Sequence, residues 1–167
     1  MGYGQETMIE VKVAGIVIDN NSNSPVMLLK EVANDKVLPI YIGPAEAAAI
    51  AYALENVKAV RPLTIDLMKL IVEGTGAKVK RVNVTSLRND TFYAEIILET
   101  NGKLIAIDAR PSDSVALALR TNSPIYVAEE IMNNCHTVMT LDEETKLKEL
   151  RLKLRSTDIE DFGNYNI

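Results

Sequence analysis

The stretch that most constrains this chain is residues 105–120, IAIDARPSDSVALALR. The apolar run Leu104-Ile105-Ala106-Ile107 stops at Asp108, Arg110-Pro111 turns the chain, and Val115-Ala116-Leu117-Ala118-Leu119-Arg120 follows. β-Branched, alternating residues favour a strand in the first part. Pro111 suits the first helical position, where its missing N–H costs no hydrogen bond. A strand running straight into a helix calls for a sheet with helices packed on it. The junction carries Asp108, Arg110, Ser112 and Asp113. Side chains placed there are anchored by the strand end and still reach solvent, which suits a functional site.

The rest of the chain leads up to that segment twice. Met8 to Asp19 alternates as a strand, 20–25 is a turn, 26–32 an apolar run, and 37–42 a third strand. Gly43-Pro44 breaks it before an Ala-rich helix over 45–55. A second helix is predicted over 62–73, closed by Gly74 and Gly76. Its apolar residues surround much of its circumference, so it should be largely buried. The pattern then restarts, with strands over 78–87, 92–99 and 104–108, a hairpin turn at Asn101-Gly102, and the helix opened by Pro111.

A shift of 67 residues carries Pro44 onto Pro111, Asn34-Asp35 onto Asn101-Gly102, Ile40 onto Ile107 and Glu46 onto Asp113. The expected fold is therefore α+β, an internal duplication of a β-β-β-α unit forming a mixed sheet with helices packed on it. Its domain should span 8–134, with repeat halves of about 8–60 and 77–121. A short strand over 124–127 and a helix over 128–134 complete it. An amphipathic helix over 141–155 and a tail over 156–167 follow.

Composition narrows the partners. With 18 basic and 23 acidic residues the formal charge is −5, which argues against a broad basic face for gripping phosphates, though not against a local groove. Cys135 is the single cysteine, which removes disulfide frameworks and zinc sets. The first seven residues are polar, and no apolar run approaches the ~20 residues that cross a bilayer. A cytoplasmic protein that does not engage a membrane is expected. Aromatics make up only 5%, so aliphatic strands must supply the core, and shared sheet edges or helix faces in a homodimer would complete it.

Asp108, Arg110, Ser112 and Asp113 form the sharpest polar cluster. As chemistry, Asp108 and Asp113, with Glu46, would hold a divalent metal such as Mg²⁺ or Mn²⁺, and Arg110 would neutralise a phosphate oxygen. As structure, Asp113 is the third helical residue after Pro111, where an acid caps the helix, and Glu46 stands in the same place after Pro44. Arg61 and Asp66 open the 62–73 helix and would act only if they face this cluster. Lys78, Lys80, Arg81 and Arg88 are either one wall of a nucleic-acid groove or a solvated strand face. Cys135-His136 has no second metal-ligating neighbour, and glycine-rich phosphate loops and GxSxG are absent.

Three motifs carry a family resemblance. They are Leu38-Pro39-Ile40-Tyr41-Ile42-Gly43 with Glu46-Ala47, Arg61-Pro62-Leu63-Thr64 with Asp66-Leu67, and Asp108-Ala109-Arg110-Pro111-Ser112-Asp113 with Ala116-Leu117-Ala118. Pro124-Ile125-Tyr126-Val127 and Glu130 continue them. In order and spacing the sequence resembles the bifunctional nuclease (BFN) domain family. The resemblance implies a nuclease, a hydrolase acting on the phosphodiester bonds of DNA and RNA, with Glu46, Arg61, Asp66, Asp108, Arg110 and Asp113 at the family's polar positions. Many members read R-P-x-T-H-D, whereas this chain has Ile65 between Thr64 and Asp66, so no histidine base is available there. The alternative to a nuclease is a non-catalytic regulatory or assembly module, whose Arg–Asp cluster is a structural ion-pair network.

Overall fold

A computed structural model describes residues 7–138 and 145. The first three strands, β1 (Met8–Asp19), β2 (Ser24–Glu31) and β3 (Lys36–Tyr41), form an antiparallel meander followed by helix α1 (Pro44–Leu54). Helix α2 (Thr64–Gly74) crosses to a second meander, β4 (Lys78–Arg88), β5 (Thr91–Thr100) and β6 (Lys103–Ala109), followed by α3 (Pro111–Thr121). Strand β7 (Ile125–Ala128), helix α4 (Glu129–Cys135) and the two-residue β8 (Thr137–Val138) finish the described fold.

The eight strands lie in one sheet in the order β6-β5-β4-β7-β1-β2-β3-β8. All neighbours are antiparallel except β4 and β7, so the sheet is mixed, as expected for this α+β fold. β7 joins the two meanders, pairing Ile125–Ala128 antiparallel with Met8–Val11 of β1 and parallel with β4 at Val82, Asn83 and Val84. The second meander turns through residues that tolerate positive φ, Asn89-Asp90 and Asn101-Gly102. Two-residue turns of this kind match the twist of the strands they join.

The main core lies between the sheet and the helices. Met27, Leu29, Leu38, Val82, Val84 and Ile96 meet Ile50 of α1, Val115 and Leu117 of α3, and Ile131 and Met132 of α4. Alternation along β2 sends Val26 and Leu28 to the other face, into a smaller cluster with Val37. Both Pro44 and Pro111 stand at the start of their helices, and Glu46 and Asp113 each fall in the first turn.

Helix α2 corrects one expectation. Among its residues only Ile65 is buried, while Leu67, Leu70 and Ile71, with the preceding Leu63, are exposed. Ile65 and Met68 are the side chains that reach the core, a narrow i, i+3 contact. Leu67, Leu70 and Ile71 fall away from that contact, toward solvent. β8, pairing with Lys36 and Val37, was not anticipated. The helix expected over 141–155 and the tail over 156–167 lie outside the described residues, Thr145 excepted.

Candidate functional site

Arg110 caps α3 in extended conformation, and the turn through Pro111 aims its side chain back across the helix start. Its Nε donates to Asp113 Oδ2 at 2.8 Å, and its Nη1 to Glu46 Oε1 at 2.9 Å. One guanidinium therefore ties the first turn of α1 to the first turn of α3. The Arg110 carbonyl accepts from both the Ser114 N–H, at 3.0 Å, and the Ser114 hydroxyl, at 2.9 Å, which sets the cap rigidly. Asp113 foremost, then Glu46, makes the Arg110 guanidinium hold its proton more tightly than usual.

Gly43 makes room for this arrangement. A Cβ there would collide with Glu46 Oε2, because the Glu46 carboxylate folds back over the Gly43 backbone at the start of α1.

Two clefts meet at the cluster. One, of about 390 Å³, is lined by Tyr41, Asp90, Thr91, Phe92 and Ser112. The other, of about 260 Å³, runs between α1 and the start of α2 past Tyr52, Leu63 and Thr64 to Arg120. Arg110 and Glu46 line both. The Arg110 side chain is 65% exposed, so its remaining N–H groups are open to a ligand.

The second motif builds a separate clamp. Asp66 Oδ2 accepts from the Leu63 N–H at 3.0 Å, capping α2, and Oδ1 accepts from Arg120 Nε at 2.6 Å. Arg120 also donates to the carbonyls of Ala49, at 3.0 Å, and Ala116, at 3.2 Å. Its side chain is only 10% exposed. Burial pushes the Asp66 carboxyl up, but the hydrogen bonds from Arg120 and Leu63 outweigh it and hold Asp66 below the usual carboxylate range. The clamp joins α1, α2 and α3 behind the second cleft.

The sequence-expected residues thus divide. Glu46, Arg110 and Asp113 come together. Asp66 engages Arg120 instead, and Arg61, exposed, forms no ion pair or side-chain hydrogen bond with the described residues. Asp108 stands opposite Glu95 on β5, whereas the next residue, Ala109, packs against the main core. Strand alternation therefore sends Asp108 to the face away from the helices, and it lines neither cleft. The basic stretch is largely a solvated face, since Lys80 pairs with Glu99 at 2.9 Å and Arg88 lies over the Tyr93 ring.

This donor set does not fit a divalent cation. Glu46 and Asp113 both already accept from a guanidinium, whose charge opposes a second cation, and Asp108 points elsewhere. Among the described residues no three His, Cys, Asp or Glu side chains are grouped to hold a metal ion.

Arg120 is the residue that sequence reasoning missed. An arginine in the last turn of a helix is ordinary dipole compensation, and nothing in its spacing marks a partner 54 residues away. Gly43 ends the third strand in the sequence reading, and in the structure it also leaves space for a carboxylate.

A model of the bifunctional nuclease domain matches residues 27–140, more than half of the sequence, and covers every member of both clamps. The chain belongs to the bifunctional nuclease domain family. Within it, an uncharacterized protein of Mycobacterium tuberculosis is 39% identical over 158 residues, 95% of this chain and 93% of that one. Bifunctional nuclease 1 of Oryza sativa subsp. indica is 29% identical over 119 residues, 70% of this chain and 36% of the plant protein. Bifunctional nuclease 2 of Arabidopsis thaliana is 30% identical over 108 residues, covering 63% and 33%. The chain spans about a third of the plant relatives' length. Ile65, between Thr64 and Asp66 of the second motif, lies in the core.

Proposed function

We propose that this bifunctional nuclease domain hydrolyses phosphodiester bonds of DNA or RNA where the two clefts meet at Arg110. The observation that carries the reading is the Arg110 guanidinium, held from one side by Glu46 and Asp113 and exposed on the wall shared by both clefts. A phosphate oxygen takes the free N–H groups, and the arginine neutralises charge that grows as water attacks phosphorus. Glu46 accepts the water proton as the new P–O bond forms. The bond to the departing sugar oxygen breaks, and that oxygen takes a proton from solvent. No step is assigned to a metal ion. The proposed setting is the cytoplasm, where a lone cysteine needs no oxidising compartment. The proposed working form is a homodimer.

The non-catalytic reading draws on the same contacts. Arg110 satisfies both carboxylates and fastens α1 to α3, which is also what a structural ion-pair network does.

The test is cleavage of labelled single- and double-stranded DNA and RNA with Mg²⁺, with Mn²⁺ and with chelator. Wild type is compared with Arg110→Ala, Glu46→Gln and Asp108→Asn. Loss of the arginine should cost on the order of 10²–10³ in rate, the range seen when a charge-stabilising donor is removed. Asp108→Asn should cleave like wild type. Wild-type activity in Arg110→Ala would overturn the site, and no cleavage under any condition would leave the assembly module.

A further inference from the structure

β6 ends the sheet as a seven-residue strand with no neighbour on its outer side among the described residues. It carries little of the usual protection of an edge. The register with β5 runs from Ala94↔Ala109 to Thr100↔Lys103 without a bulge, there is no proline, and charge is confined to Lys103 and Asp108. Between them Leu104, Ile105 and Ile107 are 60%, 43% and 43% exposed. The opposite edge is the two-residue β8.

The hairpin fixes which backbone groups are free. A two-residue turn closes on a hydrogen-bonded pair, here Thr100 and Lys103, so Lys103, Ile105, Ile107 and Ala109 bond to β5. Leu104, Ala106 and Asp108 then point their N–H and C=O groups outward. Two identical strands related by a two-fold axis pair antiparallel, with one residue opposite itself. Centred on Ile105 or Ile107, such a ladder uses two of the three outward residues of each strand and closes four bonds. Centred on Ala106 it uses all three, Leu104 opposite Asp108 and Ala106 opposite Ala106, and closes six.

The same register sets Ile105 against Ile107 of the other strand, an apolar cross-strand pair made twice. It also brings the Lys103 end of each strand to the Asp108 end of the other, whereas parallel pairing would put like charges together. We propose that a second copy of this chain adds antiparallel to β6 about a two-fold axis at Ala106, joining two eight-stranded sheets into one. The proposal gives the homodimer reading its interface and rests on that reading, but not on catalysis.

Leu104 tests the register, because it faces Asp108 of the other copy and is open to solvent in one chain. Sedimentation of the full chain from about 1 to 100 µM spans the affinities of an interface below standard size. Wild type should sediment at twice 18.4 kDa. Leu104→Glu should weaken association at least tenfold, and Leu104→Lys should hold it or tighten it. In a Cys135→Ser background, Ala106→Cys should cross-link to itself under mild oxidation, since opposed Cα atoms ~5.5 Å apart lie within disulfide reach. A monomeric wild type overturns both the interface and the homodimer. A dimer indifferent to Leu104→Glu and uncross-linked at Ala106 overturns the interface and leaves the homodimer standing. Equal loss with Glu and Lys overturns the register.

Discussion

Removing either member of the Arg120–Asp66 clamp should loosen the helical layer without touching the sheet. Arg120 is 10% exposed and Asp66 36%, so the pair is buried on one side only. Stripping the partner from a fully buried charge costs about 3–5 kcal/mol. Here the cost is smaller, because Arg120 keeps the Ala49 and Ala116 carbonyls and water screens the Asp66 side. Asp66→Asn should therefore cost about 1–3 kcal/mol, a partial discount toward the value of exposed pairs. Asn still accepts from the Leu63 N–H, so the α2 cap survives while the charge is lost. Arg120→Met keeps much of the side-chain volume and loses the charge-assisted bonds, at about 2–3 kcal/mol. For a chain of this length each kilocalorie lowers Tm by about 2–4 °C. Thermal and urea unfolding followed by circular dichroism, with the double variant, closes the cycle. The coupling should exceed about 1 kcal/mol. Single effects under about 0.5 kcal/mol, or additivity within about that amount, would show that the clamp does not operate in solution.

Three further outcomes follow from the same contacts. The Asp66 carboxyl is held below its ordinary value in the fold, so its stabilisation is present above the unfolded pKa of about 3.9 and is lost as pH falls through the lowered folded value. The urea midpoints of wild type and Asp66→Asn should accordingly differ at pH 7 and converge as pH falls through the lowered folded value; a constant gap would refute the assignment. Gly43→Ala should displace the Glu46 carboxylate and break its bond to Arg110, lowering the melting temperature. Since φ at Gly43 is −77°, which any residue adopts, Glu46→Ala should suppress most of the Gly43→Ala penalty, and thermal melts of the two backgrounds check it. Ile65→His places an imidazole at a core position, which should cost about 2–4 kcal/mol without raising cleavage activity, as melts and cleavage assays would show.

Local order in this protein is plain in the sequence because local chemistry decides it. Alternation sets the long strands, Asn-Gly and Asn-Asp set the hairpin turns, and Pro44 and Pro111 set the helix starts. The Glu46–Arg110–Asp113 cluster was half legible, since Asp113 lies three residues from Arg110, while Glu46 reaches it only once α1 packs beside α3. Asp108 looked like part of the cluster because it is close in sequence, but the two-residue period of a strand turned it to the other face. The partner of Asp66 was hidden, because Arg120 arrives from another helix. Burial of α2 was misread for a related reason: apolar content says how much surface seeks cover, and only packing says how much receives it.

The place of β7 bears on how the chain is made. Each meander closes through neighbours in sequence, so each is within reach of a short search as soon as its residues leave the ribosome. The joint between them does not form that way, because Met8–Val11 must wait for Ile125–Ala128, more than a hundred residues later. Until then the apolar flanks of β1 and β4 stand open, two sticky edges on a half-made sheet. The four residues of β7 act as a late zipper that closes both at one stroke. A chain cut before Pro124 would keep the residues of both meanders, yet leave each meander with an edge free to pair with the wrong neighbour. Premature termination should therefore show itself as aggregation rather than as a smaller folded protein.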